Sequence, residues 1–353
     1  MNEVGAGRRA GGRAGRPIGR SGVLFGILAA LFTGCTRPAA NPDAIRVALV
    51  TPGSIADASW NSGAYAGLMQ IRDSLGMEVS HVEARTPGEQ EEQLRTYAAQ
   101  GYTIIFGHGF EFQDAAERVA QDYPGPIFVI TSGQRLAGNV VPLIFRLSEA
   151  TYLAGMVAGS LTRTGKLGYV GGIELPPVKL AYDAWAAGAR AVNPNVESRE
   201  TYLNTFDDAV AGREAALAMI RLGVDMLHHN ADQAGLGVFQ AAKEHPGVYV
   251  FGSNADQTNL APDRVIGSAV IDLPRALLLV AREVQEGRFT PRVESFGLES
   301  RVIRYVTNPA LDSLLPDSLK TRLRAVEDSI IAGTLVPVDR STGRMADPDI
   351  SNR

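Results

Sequence analysis

The sequence predicts an α/β protein made of two similar doubly wound lobes with a ligand cleft between them. Short β-branched runs alternate with amphipathic stretches of about 12 to 18 residues, the pattern of βα units and parallel sheets. The pattern starts over once, at Lys166-Leu-Gly-Tyr-Val-Gly-Gly172. With 353 residues, 45% of them hydrophobic and 20% charged, the chain can fill a core divided into two domains.

In the first lobe the β-branched runs place strands at 45–50, 78–82, 102–106, 126–131 and 140–147. The amphipathic stretches between them place helices at 64–75, 89–100 and 112–122. Residues 149–163 (EATYLAGMVAGSLTR) form a small-residue helix suited to close packing. The second lobe repeats the scheme after its strand at 166–172, with strands expected at 197–203, 226–229, 248–252 and 265–270 and helices at 179–191, 209–222 and 236–244. A helix at 273–286, strand-like runs at 293–298 and 302–306 and a helix at 316–331 leave enough chain to cross between lobes again. The expected division is lobe 1 at 44–147 plus about 272–295 and lobe 2 at 148–271 plus about 296–338. A linker spans 35–43 and a loose tail 339–353. Hinges are expected near 147–150 and 268–273.

Residues 1–34 carry five arginines and one glutamate, net +4, so a formal net charge of -4 leaves -8 on the remainder. A body that acidic lacks the clustered Lys and Arg that hold phosphate backbones, so no nucleic-acid partner is expected. The Arg-rich start leads into the apolar run Gly22 to Phe32, about half of the ~20 residues a membrane span needs, and reads as a secretory signal peptide over 1–34. The segment Leu31-Phe32-Thr33-Gly34-Cys35 resembles the lipobox of bacterial lipoproteins, with Leu one place early. Cys35 is the single cysteine, so no internal disulfide forms and lipidation there gives a membrane anchor.

Ligands of open α/β sheets bind where loops leave the carboxyl ends of the strands. Those loops are 51–61 (TPGSIADASWN), 107–110 (GHGF), 131–134 (TSGQ), 171–177 (GGIELPP), 229–232 (HNAD) and 252–257 (GSNADQ). They are rich in amides, aromatics and glycines, groups that orient a neutral planar or hydroxylated molecule better than they transfer protons. The candidate ligand-binding residues are Ser59, Trp60, Asn61, His108, Gly109, Phe110, His229, Asn230, Asn254 and Asp256. Trp60 offers a ring to stack on and Asn61 an amide able to read a heterocycle edge; the bland alternative is a Trp60 that caps the first helix. Phe110 is either a second aromatic wall or core, and Trp185 reads as core.

Enzyme signatures are missing. There is no G-x-S-x-G elbow, no phosphate loop, and Gly107-His-Gly109 lacks the third glycine of a dinucleotide fingerprint. A metal site at His228, His229 and Asp232 is weak because adjacent residues of a strand face opposite ways. No cofactor, metal or catalytic residue is expected.

The stretches 47–61 (VALVTPGSIADASWN), 152–172 (YLAGMVAGSLTRTGKLGYVGG), Gly223-Val-Asp225 and 251–262 (FGSNADQTNLAP) together resemble the basic membrane protein family of ABC-transporter substrate-binding lipoproteins, which includes purine nucleoside receptors. The resemblance covers about 45–286. It implies the type I periplasmic-binding-protein fold, two Rossmann-like lobes joined by three crossovers, and a cleft that closes on ligand before delivery to a membrane permease. It also implies that Trp60 stacks on the base with Asn61 beside it, and that Asn254 and Asp256 meet the sugar. The second-lobe aromatic implied near Asp225 falls at His228 or His229. Two positions depart from the family: Asn254 stands for the first Asp of G-[VI]-D-x-D-Q, and Ile271 in Ser268-Ala-Val-Ile271 stands for the Lys of S-x-V-K. An Asp/Lys pair able to clamp ribose hydroxyls is thus replaced, which brings in a free purine base beside the nucleoside. The expected function is that of a lipid-anchored solute-binding protein of an ABC importer in the cell envelope, binding a purine-related ligand. The alternatives are a surface sensor that signals to a partner protein and an envelope nucleoside or sugar hydrolase.

Overall fold

The computed structural model describes residues 44–338. The expected signal peptide over 1–34, the expected linker up to residue 43 with Cys35, and the expected tail from 339 lie outside the described residues.

Each lobe is built on one six-stranded sheet. In the first, strands β1 (Arg46–Thr51), β2 (Glu78–Glu83), β3 (Ile104–His108), β4 (Ile127–Thr131) and β5 (Val140–Phe145) lie in the order β2-β1-β3-β4-β5, and β11 (Glu294–Phe296) pairs in parallel beyond β5. In the second, β6 (Lys166–Gly171), β7 (Glu197–Tyr202), β8 (Met226–Asn230), β9 (Tyr249–Asn254) and β10 (Val265–Ile271) repeat that order as β7-β6-β8-β9-β10. Here β12 (Ile303–Thr307) runs antiparallel beyond β10. The central strands are buried on both faces, as helices on either side of a parallel sheet require; β2 and β7, at the edges, are only half-buried.

The helices α1 (Trp60–Leu75), α2 (Pro87–Ala99), α3 (Gln113–Asp122), α4 (Leu147–Leu161), α5 (Pro176–Val192), α6 (Ala209–Arg221), α7 (Gly235–Glu244), α8 (Leu273–Gln285) and α9 (Asp317–Ile331) fall close to the expected stretches. The largest departure is α1, which begins four residues before the expected 64. The first helix of the second lobe likewise begins at Pro176, because proline at the opening position of a helix sacrifices no hydrogen bond. Helix α4 is buried on almost every side, between α5, α9, β10 and β12. Its small residues permit this: a Cβ on Gly155 would overlap the backbone oxygen of Trp185, and one on Gly188 that of Tyr152.

The chain passes between the sheets three times, from β5 into α4, from β10 into α8, which packs on α1, and from β11 into β12. The crossings are bonded to one another. Arg146 N donates to the Phe296 carbonyl at 2.8 Å and Asp272 N to that of Val302 at 2.7 Å. The buried Glu149 carboxylate accepts from Leu298 N at 2.8 Å and from Arg146 Nε at 2.5 Å.

Candidate functional site

A cavity of about 390 Å³ lies between the carboxyl ends of the two sheets. Every strand from β1 to β10 contributes to its wall either its last residue or the loop that follows it. The size suits a small organic ligand.

The first-lobe wall is organised by Asp57, which is 1% exposed. Its carboxylate accepts from the backbone N–H groups of Ser59 (3.0 Å), Ser62 (2.9 Å) and Asn61 (2.7 Å), and from Asn61 Nδ2 (3.0 Å). These are free donors of the first turn of α1, so a negative charge there complements both the orphan groups and the helix dipole. The helix therefore starts at Trp60, and Trp60 and Asn61 line the cleft from its first turn. Asn61 is 4% exposed, and with Nδ2 committed to Asp57 its Oδ1 has no partner.

Trp60 is stacked on the His108 ring, centroids 4.1 Å apart and planes at 22°, with Phe145 edge-on at 6.1 Å. His108 does not line the cleft; it backs Trp60. Its Nε2 donates to the Trp60 carbonyl (3.1 Å), and its Nδ1 accepts from Thr131 Oγ1 (2.9 Å). Gly109 takes φ of 142°, and a Cβ there would collide with the Glu111 carboxylate, so this glycine lets the loop place Phe110 and Glu111 on the wall.

Among the second-lobe candidates, Asn230 and Asn254 line the cleft. Asn254 Nδ2 donates to Asn230 Oδ1 (3.3 Å) and Asp232 Oδ1 (3.2 Å). His229 is corrected: it lies behind the wall, fully buried against Phe239, its Nε2 donating to Gln257 Oε1 at 2.9 Å. The period of the strand turns His228 the other way, stacked on Trp185 at 5.0 Å. Neither histidine is the second-lobe aromatic of the cleft; that place is taken by Phe206, in the loop after β7, whose ring is seated against Gly172 where no Cβ intervenes. Asp256 is also off the wall. It is exposed and accepts from Thr258 N (3.1 Å) and Oγ1 (2.6 Å) within its own turn. Ser59 is buried beneath the wall, donating to the Ser253 carbonyl at 3.2 Å. Among the described residues, no three His, Cys, Asp or Glu side chains converge as a metal-binding set.

Sequence reading missed Arg85, Gln90, Glu111, Phe206, Asp207 and the place of Asp232 on the wall. The signal was available, because Arg85 and Phe206 follow β2 and β7 as regularly as the other wall residues follow their strands. The lobes meet through polar contacts around the cavity: Arg85 Nη1 pairs with Asp207 Oδ2 at 2.8 Å, and Gln257 Nε2 donates to the Ala58 carbonyl at 3.3 Å. Burial pushes the Glu111 carboxyl up to about 7. Asp232 is raised well above the usual carboxylate range, first by burial and then by the charges of Asp57 and Glu111.

Burial also lowers His108 and His228 to about 3 and His229 to about 4. The three rings are therefore expected to stay neutral in the folded protein from about pH 8 down to about pH 5, as read from histidine NMR shifts, whereas unfolded histidines titrate near 6.5. Since the unfolded chain takes up protons first, these groups lower stability progressively as pH falls below about 6.5. A ring that titrates near 6.5 in the folded state would contradict its burial.

Residues 44–338 match the family model described as ABC transporter substrate-binding protein, PnrA-like. Basic membrane protein A2 of Borrelia garinii subsp. bavariensis is 29% identical over 88% of this chain and 92% of that protein. An ABC transporter solute-binding protein of Conexibacter woesei is 29% identical, with a TM-score of 0.67 over 83% of this chain and 98% of that one. Another, from Aeropyrum pernix, shares the fold with a TM-score of 0.78, covering 84% of this chain and 95% of that one at 23% identity. These structures have the type I periplasmic solute-binding fold of two α/β lobes, and among the described residues no helix is long and apolar enough to cross a membrane. The chain belongs to the basic membrane protein family of PnrA-like ABC transporter substrate-binding proteins.

Proposed function

We propose that this solute-binding protein captures a purine-related ligand, a nucleoside or a free base, in the interlobe cleft and passes it to an ABC permease. The observation that carries the reading is the wall made by Trp60 and Asn61. An indole backed by the His108 ring offers a flat platform, and beside it the buried Asn61 Oδ1 waits without a partner. Phe110, Phe145 and Phe206 add apolar surface around it. Stacking on a preformed platform holds any purine, while the amide distinguishes its edge.

The sugar half of the cleft is less committed. Asn254 and Ile271 both line it, and Asn254 spends its amide N–H groups on Asn230 and Asp232. A ribose meets an amide oxygen and an alkyl group there, so base and nucleoside both remain ligands of this reading. The contacts between lobes, Arg85 with Asp207 and Gln257 with Ala58, are those a closing cleft makes around its cargo. Binding and release rather than chemistry suit a wall of amides and aromatics. We place the protein in the cell envelope, anchored through lipid on Cys35.

Trp60→Ala is expected to weaken binding of a purine nucleoside by ~1 to 3 kcal/mol, measured by calorimetry, because it removes the stacking platform. Unchanged affinity would remove the purine reading. Cys35→Ala is expected to move the protein from the membrane fraction to the soluble fraction of its host cells. Equal membrane partition of the two forms would remove the lipid anchor.

A further inference from the structure

The lining of the cleft changes character across the sheets. Polar lining residues follow β1 to β4 and β7 to β9, among them Asn61, Glu111 and Ser132 in the first lobe and Asn204, Asn230 and Asn254 in the second. Toward the crossings the wall turns apolar. Strand β10 contributes Ile271, and β5 with the start of α4 contributes Phe145 and Leu147, Ser148 being the polar exception. After β6 come Ile173, Leu175, Pro177, Val178 and Leu180, while Glu174 and Lys179 of the same stretch stay off the wall, Lys179 paired with Asp183 at 2.7 Å and Glu200 at 3.1 Å.

These apolar residues form one patch. Helices α4 and α5 run parallel, with Gly155 against the Trp185 backbone and Gly159 against that of Ala189, so their first turns, carrying Leu147 and Pro177 to Leu180, lie side by side. Phe145, Leu147, Val178 and Ile271 belong to one hydrophobic cluster, and Trp60, Leu175 and Leu180 pack against it; Phe145 stands edge-on to the Trp60 indole at 6.1 Å. Leu175 and Leu180 are only half-buried, so the cavity opens onto alkyl surface. Backbone donors at the start of α5 are absent or spent: Pro176 and Pro177 have no N–H, and Val178 N and Lys179 N both donate to the Leu175 carbonyl at 2.9 Å. Asn254 borders the patch, paired in register with Val270, and its N–H groups are given to Asn230 and Asp232. A ribose hydroxyl that leaves water for such a wall loses its hydrogen bonds without replacement, whereas each CH₂ buried there gains roughly fourfold in affinity. We propose that the crossing end of the cleft is an apolar subsite, lined by Leu147, Leu180 and Ile271, and that the ligand carries there a deoxygenated or alkyl substituent in place of a ribose with free hydroxyls. This rests on the purine reading for the ring stacked on Trp60 and specifies the half of the ligand that the reading leaves open.

Adenosine and 2′,3′-dideoxyadenosine share ring and shape and differ by two hydroxyls, so the pair, titrated calorimetrically into the full-length protein, tests the subsite. The dideoxynucleoside is expected to bind at least tenfold tighter, and Leu180→Ser, a change at a half-buried position, to narrow that gap by threefold or more. A site built around ribose hydroxyls gives the reverse order, because its own polar groups are then left unpaired. A gap below tenfold, tighter binding of adenosine, or a gap that Leu180→Ser leaves untouched overturns the inference and leaves the purine reading standing. Should neither compound bind, the purine reading has failed, and a thermal-shift panel of alkyl-substituted pyrimidines and pteridines with their hydroxyalkyl counterparts decides the subsite alone. Larger shifts for the alkyl members support it; equal or larger shifts for the hydroxyalkyl members, or no shift at all, overturn it.

Discussion

The cleft depends on one buried carboxylate. Asp57 has no cation beside it among the described hydrogen bonds and ion pairs; four N–H groups, three of them backbone, offset the cost of its burial. Because those donors belong to the first turn of α1, the acid decides where the helix starts, and with it the direction in which Trp60 and Asn61 leave the backbone. It also decides which atom of Asn61 is left without a partner, since a carboxylate can receive only the amide's NH₂. Across the cleft, its charge helps hold Asp232 toward the protonated form. One side chain thereby sets the positions of Trp60 and Asn61 on the wall and part of the electrostatics of the opposite lobe.

Around that point the fold stores strain along the cavity wall. Six described non-glycine residues have positive φ, and four of them, Ser132, Asn204, Asp232 and Asn254, line the cavity, while Ala58 sits between Asp57 and Trp60. Each costs about 1 to 3 kcal/mol, which the surrounding sheets can sustain because they are packed on both faces. The sixth, Arg301, lies in the crossing from β11 to β12, and the crossings are tied to one another through Arg146, Glu149 and Asp272.

The sheets were legible because a parallel strand buried on both faces leaves an apolar run that needs no partner to be recognised, as at Val47–Val50 or Ile104–Phe106. The start of α1 was not. Its apolar periodicity begins only at Ala64, and the preceding turn is made by Asp57 through space rather than by a capping residue in the usual place. Trp60, Asn61, Phe110, Asn230 and Asn254 could be read onto the cleft because they follow central strands. Arg85 and Phe206 follow β2 and β7, edge strands whose half-polar sequences attract less notice, and so they were passed over. His229 and Asn230 differ by one position, and only the pleat of β8 turns the second into the cleft and the first into the core.

The most direct test of this account is Asp57→Asn, with stability and purine nucleoside affinity measured on the same protein. The substituted amide keeps the shape but turns a donor toward Asn61. The account predicts both a loss of about 1 to 3 kcal/mol in unfolding free energy and at least tenfold weaker binding. Retention of full affinity would contradict the claim that this carboxylate sets the recognition wall.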